Sequence, residues 1–138
     1  MKKILLASHG DLADGIKSAI EIVLGVQENI STICAYKEKD FNLKIRVEEE
    51  IQNLAPDDIL IVVTDLFGGS VNNEFMNYLE NKNVHLITGL NLLLLIELIV
   101  NQNNQKVSEL IKNAILNSIS GIKYCNELSS NSSEDEDF

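Results

Sequence analysis

The sequence predicts an α/β fold: an open, mainly parallel sheet with helices on both faces. Three observations predict it. Apolar runs of strand length alternate with stretches of helical periodicity along the 138 residues. Each run is apolar at consecutive positions rather than alternate ones, which marks strands buried on both faces, as in a parallel sheet. Right-handed crossovers then restrict the topology, and the common doubly wound order 2-1-3-4 is expected, with room for a C-terminal antiparallel edge strand.

Ile4 to Ala7 form the first buried strand, which stops abruptly at His9-Gly10. From Asp11, an expected N-cap, apolar residues recur at Leu12, Ile16, Ile20, Val23 and Leu24, and Gly25 ends this helix. Ile30 to Tyr36 make a second strand of β-branched and small residues. Asp40 is placed to cap a second helix with a stripe of Leu43, Val47, Ile51 and Leu54, with Glu48 to Glu50 facing solvent; Pro56 closes it. Ile59 to Thr64 is the most strongly apolar strand. It runs into Asp65-Leu66-Phe67-Gly68-Gly69-Ser70, and a helix is expected from there to about Asn81. Val84 to Thr88 supply a fourth strand, halted by Gly89. Two helices follow, about Asn91 to Val100 and Lys106 to Ile119, the second with Val107, Leu110, Ile111, Ala114, Ile115 and Ile119 on one face. Gly121 to Cys125 are read as a last short strand. No internal repeat or interdomain linker interrupts residues 1–128, which are read as one domain. Residues 129–138, rich in serine, asparagine and acid, are read as a disordered tail.

Composition excludes several classes. The net charge is -10, and nucleic acid and anionic membranes both require basic patches. Glu134 to Asp137 concentrate part of that acidity in the tail. Cys34 and Cys125 lack the spacing of a disulfide framework, a zinc site or a thiol nucleophile, and are read as reduced, largely buried thiols. The run after Lys2-Lys3 breaks too early for a signal peptide, and Leu92 to Val100 carries Glu97 and is too short to cross a bilayer. A soluble, cytoplasmic protein is expected.

The candidate chemistry lies at strand ends. In an open α/β sheet, ligands bind beyond the carboxyl ends, at the crevice where strand order reverses. With order 2-1-3-4 that crevice separates the first and third strands, which end in His9 and Asp65. A carboxylate can orient an imidazole by accepting a hydrogen bond from one ring nitrogen. Gly68 and Gly69 let backbone N–H groups approach a ligand, the following helix offers its positive end, and Ser70 adds a hydroxyl. This is a small anion site beside an imidazole. His85, inside the fourth strand, is expected to take no part.

Two motifs, Ser8-His9-Gly10-x-Leu12-Ala13-x-Gly15 and Asp65-Leu66-Phe67-Gly68-Gly69-Ser70, resemble the IIA component of mannose-family phosphoenolpyruvate-dependent sugar phosphotransferase systems. Thr88-Gly89-Leu90-Asn91-Leu92 is similar to that family's glycine–hydrophobic–asparagine motif, and the resemblance covers about residues 1–125. It implies that His9 is phosphorylated and that Asp65 orients it, while Gly68, Gly69 and Ser70 cradle the phosphoryl group. It implies transfer from the phosphohistidine carrier HPr to a IIB component during sugar uptake. The membrane IIC and IID subunits are engaged indirectly, at the membrane's cytoplasmic side. It also implies a homodimer made by exchanging an edge strand. No metal or nucleotide cofactor is required, which agrees with the lack of a phosphate-binding Gly-x-x-x-x-Gly-Lys-Ser/Thr motif. Two departures stand out: Val71 replaces the proline usual after Gly-Gly-Ser, and the proline usual after the Gly-Leu-Asn motif is missing at Leu93 or its neighbour. Neither change removes a reacting group.

Other readings share parts of this pattern. The phosphoryl-donor subunit of a dihydroxyacetone kinase and the IIA-like module of a regulator would use the same fold and histidine. Asp-Leu-Phe-Gly-Gly-Ser favours the sugar-transport branch. A serine hydrolase built on Ser70, His9 and an aspartate lacks the Gly-x-Ser-x-Gly elbow, because Asn72 stands at its last position. A binding domain whose His9 never turns over is the remaining alternative.

Overall fold

A computed structural model describes residues 1–128. The strands are β1 (Lys2–His9), β2 (Ile30–Ala35), β3 (Ile59–Thr64) and β4 (Val84–Thr88). The helices are α1 (Leu12–Leu24), α2 (Leu43–Gln52), α3 (Ser70–Met76), α4 (Leu92–Asn101), α5 (Val107–Ser120) and α6 (Cys125–Leu128). The sheet is wholly parallel in the order β2-β1-β3-β4, so the strand order reverses between β1 and β3 as expected.

Side-chain alternation along the strands divides the core in two. Ile4, Leu6, Ile61 and Val63 face α1, α4 and α5, where Ala13, Ile20, Leu94, Leu95, Leu98, Leu110 and Ala114 meet them. Leu5, Ala7, Ile33, Leu60 and Val62 face α2 and α3, where Val47, Val71 and Phe75 close the opposite layer. The buried residues of both layers are almost all aliphatic, and Phe75, in the α2/α3 layer, is the one buried aromatic among the described residues. That explains why the central strands read as continuous apolar runs.

Several local expectations are corrected. Gly121 to Cys125 form no strand; Cys125–Leu128 is a short helix, and Ile122 and Tyr124 are 84% and 66% exposed. Among the described residues no strand pairs with them, so their apolar character alone does not make them a sheet edge. The third helix ends at Met76 instead of near Asn81, because the chain tightens into i to i+3 turns, Tyr78 N–H donating to Phe75 (3.0 Å) and Asn81 N–H to Tyr78 (3.1 Å). Asn42 caps α2 in place of Asp40, its side chain accepting from Ile45 N–H at 3.1 Å. Asp11 makes no capping bond at α1. Ser8 Oγ accepts from Ala13 N–H at 2.8 Å instead. The buried line of α1 runs through Ala13, Ile16, Ile20 and Leu24, leaving Leu12 and Val23 exposed, and on α5 Ser118 rather than Ile119 turns inward. Cys34 is half-buried but Cys125 is exposed, and both thiols are free. The acidic stretch 129–138 lies outside the described residues. Among the described residues no helix is long and apolar enough to cross a membrane.

Candidate functional site at the carboxyl ends of β1 and β3

β1 and β3 are adjacent, and their carboxyl ends deliver His9 and Asp65 to one point although 56 residues separate them in the chain. Asp65 Oδ2 accepts the His9 backbone N–H at 2.8 Å and stands 2.8 Å from His9 Nδ1. The carboxylate thus holds the histidine by main chain and ring together. Burial pushes the Asp65 carboxyl up, but the hydrogen bonds from the His9 backbone and ring outweigh it, and the net effect keeps the group below its ordinary range. Asp65 is therefore an acceptor only, and Nδ1 must carry the proton it receives. In the neutral ring this leaves the lone pair on Nε2. The His9 side chain is 44% exposed and that of Asp65 12%, so the imidazole meets solvent while the carboxylate that holds it is shielded.

The loop after Asp65 wraps the imidazole. Gly68 turns through a φ of +79°, open to glycine without strain. Gly69 lies so close that a Cβ there would sit 3.4 Å from His9 Cε1 and 3.2 Å from the Leu66 carbonyl oxygen. The glycine pair thus permits a close approach to the ring carbon between its two nitrogens. Asn73 Nδ2–H donates to the Gly68 carbonyl at 3.1 Å, and buried Thr64 donates its hydroxyl proton to Asn72 Oδ1 at 2.7 Å, tying the loop to the end of β3. Val71, the departure from the usual proline, is fully buried in the α2/α3 layer.

The Gly89-Leu90-Asn91 segment acts on the same strand end. Gly89 and Leu90 N–H both donate to the Thr64 carbonyl, at 3.0 and 2.9 Å. Asn91 caps α4 by accepting from Leu94 N–H at 3.0 Å and donates to the Gly89 carbonyl at 2.9 Å. The motif therefore braces the residue immediately before Asp65.

All five expected site residues, His9, Asp65, Gly68, Gly69 and Ser70, fall in this one place. Sequence reasoning missed Tyr36. Its hydroxyl lies 2.7 Å from Ser70 Oγ, and its ring centroid lies 5.6 Å from that of His9. The available signal was positional, since Tyr36 directly follows the strand that neighbours β1. His85 sits near the amino end of β4, opposite Ile61 in register, at the other end of the sheet from His9. Asp11, Asp14 and Cys34 approach one another within 4.8 Å. Asp11 is paired with Lys37, Asp14 accepts from the Thr32 hydroxyl at 2.6 Å, and burial pushes the Cys34 thiol up, so these groups are engaged with one another and their neighbours.

Residues 3–115 match the family EIIA-man, described as PTS system fructose IIA component. The chain belongs to this family. A solved structure from Klebsiella pneumoniae, described as a phosphoenolpyruvate-dependent sugar phosphotransferase system permease, is 40% identical and superposes with a TM-score of 0.89, over 92% of this chain and 93% of that one. The sorbose-specific EIIA component of Lacticaseibacillus casei is 29% identical over 79% of this chain and 80% of its own length. The fructose-specific EIIA component of Bacillus subtilis is 19% identical over 92% and 88%. As a member of the EIIA-man family the protein is a phosphocarrier component of a sugar phosphotransferase system, and the kinase-subunit and regulatory alternatives are not favoured.

Proposed function

We propose that His9 is the residue that carries the phosphoryl group, on Nε2, taking it from phospho-HPr and passing it to a histidine of a IIB component. The observation that carries this reading is the double hold of Asp65 Oδ2 on the His9 backbone and Nδ1, which leaves Nε2 as the ring nitrogen outside that hold, on a side chain that is 44% exposed. In the transfer the P–N bond on the donor breaks as the P–Nε2 bond forms, and the donor imidazole leaves. His9 keeps its Nδ1 proton and becomes a positively charged phosphoimidazole, whose charge the Asp65 carboxylate balances. Such transfers depend on in-line positioning and charge stabilisation rather than on covalent chemistry by other side chains. The Gly68 and Ser70 amides and the Ser70 hydroxyl face the phosphoryl oxygens, while the Gly69 N–H closes the turn by donating to the Leu66 carbonyl at 3.1 Å. The step needs no metal or cofactor.

Residues 1–128 constitute the carrier domain, working in the cytoplasm beside the IIC and IID membrane subunits. The chain pairs with a second copy through the outer edge of β4, which has no strand partner among the described residues. The exposed Ile122 and Tyr124 would gain cover there. The identity of the sugar is set by the membrane subunits.

Incubation with phosphoenolpyruvate, enzyme I and HPr should add one acid-labile phosphate by intact mass. His9→Ala should take none. Labelling that persists in His9→Ala, or never appears in the unsubstituted protein, would overturn the assignment.

A further inference from the structure

Tyr36 reaches the site through an unusual backbone turn. It follows Ala35, the last residue of β2 and the register partner of His9. Along β2, Ile33 and Ala35 face the α2/α3 layer, whereas Cys34 faces the α1 layer. Continued alternation would send Tyr36 towards α1 with Cys34. Instead Tyr36 adopts a φ of +66°, the one positive φ among the described non-glycine residues, in a region disfavoured by the clash of a Cβ with the backbone. Its ring then lies against Phe41, edge-on with centroids 5.5 Å apart at 72°, and Phe41 itself packs on the α2/α3 layer. Held there, the ring stands 5.6 Å from that of His9, tilted by 39°, and its hydroxyl is 2.7 Å from Ser70 Oγ.

We propose that Tyr36 is a positioning residue of the phosphoryl site that acts through Ser70. Its phenol O–H donates to Ser70 Oγ and thereby directs the serine's own O–H at a phosphoryl oxygen on His9 Nε2. The proposal rests on the reading of His9 as the phosphorylated residue. The direction of donation follows from the inventory of groups. Phosphoryl oxygens only accept, and serine has a single proton, so a Ser70 that donates to phosphate can only accept from Tyr36. Consecutive hydrogen bonds of this kind polarise and strengthen one another. Tyr36 makes and breaks no covalent bond. A left-handed turn at a bulky residue is retained here because Phe41 on one side and Ser70 on the other determine where the ring must lie.

Loss of a phosphoryl group passes through a loose, metaphosphate-like transition state, in which the peripheral oxygens give up charge. A donor aimed at those oxygens therefore stabilises phospho-His9 more than the transition state for its hydrolysis. The test uses the unsubstituted protein, Tyr36→Phe, Ser70→Ala and the double substitution. Each is phosphorylated by phosphoenolpyruvate, enzyme I and HPr and then separated from them. Phosphate release and the phosphorus resonance of phospho-His9 are followed. Tyr36→Phe keeps the ring and its packing on Phe41, and should shorten the lifetime of phospho-His9 about five- to tenfold, the size of effect expected for one net hydrogen bond. It should also move the phosphorus resonance. The double variant should release phosphate no faster than Ser70→Ala alone. A Tyr36→Phe protein with the lifetime and resonance of the unsubstituted one would overturn the proposal while leaving the assignment of His9 intact. Multiplying effects in the double variant would also overturn it, because Tyr36 would then not act through Ser70. An unsubstituted protein that accepts no phosphate would remove the His9 reading, and this proposal with it.

Discussion

At the scale of single residues, the Asp65 carboxylate sets both the orientation of His9 and the pH behaviour of the site. It takes two hydrogen bonds on one oxygen, from the His9 main chain and ring. Asp65→Asn keeps the size but loses the charge that selects Nδ1–H and that, on the proposed mechanism, balances the phosphoimidazole. Phosphoryl transfer from HPr should slow by roughly 10²-fold, the scale seen when reacting groups lose their alignment. Circular dichroism should show the fold retained, and an unchanged transfer rate would remove the role given to Asp65. The sign of the pH effect on stability follows from the same contact. The Asp65 carboxyl is depressed in the folded protein. Its stabilising contribution is therefore complete above the ordinary aspartate range, about 3.9, and disappears as pH falls through the depressed value. Acid titration of stability should show a shallower loss below about pH 4 in Asp65→Asn than in the unsubstituted protein. Asp58, held low first by the Ala55 N–H and then by Lys3, contributes a second acid-sensitive contact that this substitution leaves in place.

At the scale of elements, strand ends and helix starts do the positioning. The Gly89-Leu90-Asn91 segment both caps α4 and holds the Thr64 carbonyl beside Asp65. Asn91→Ala removes one cap acceptor and the bond to Gly89. It should lower stability by about 1 kcal/mol, read as a fall in Tm of about 4 °C for a chain of this size. Calorimetry checks it. A Tm unchanged within a degree would mean that the Asn91 bonds contribute nothing net. Strands were the elements most legible in the sequence, since a run such as Ile59 to Thr64 has no solvent-facing alternation to confuse it. Helix caps were less so. Asp40 and Asp11 have the right chemistry for capping, but Asn42 and Ser8 have the right geometry, and geometry depends on the path by which each loop enters its helix. Gly121 to Cys125 depart from expectation for a related reason: Ile122 and Tyr124 are exposed, and no strand among the described residues pairs with them.

For the whole molecule, the sheet order decides the chemistry. Each face of the parallel sheet carries its own apolar layer, and the α2/α3 layer rests on Phe75, which is completely buried. Phe75→Ala should destabilise the fold by about 3–5 kcal/mol, a large part of the 5–15 kcal/mol typical of a single domain. Urea unfolding followed by circular dichroism measures this. A loss below about 1 kcal/mol would mean that the layer collapses around the vacancy and that the site-bearing face is more plastic than its packing suggests. The sequence by itself determined the layered α/β class and pointed to His9, Asp65 and the glycine loop as the candidate site, because these depend on local residue types and on hydrophobic periodicity. The sheet order already led to the expectation that His9 and Asp65 meet. Only the tertiary structure showed one Asp65 oxygen holding both the backbone and Nδ1 of His9, because that geometry depends on side chains 56 residues apart. It alone revealed Tyr36, because a left-handed turn carries that ring across the sheet end to Ser70, against the alternation from which a strand residue's direction would be inferred.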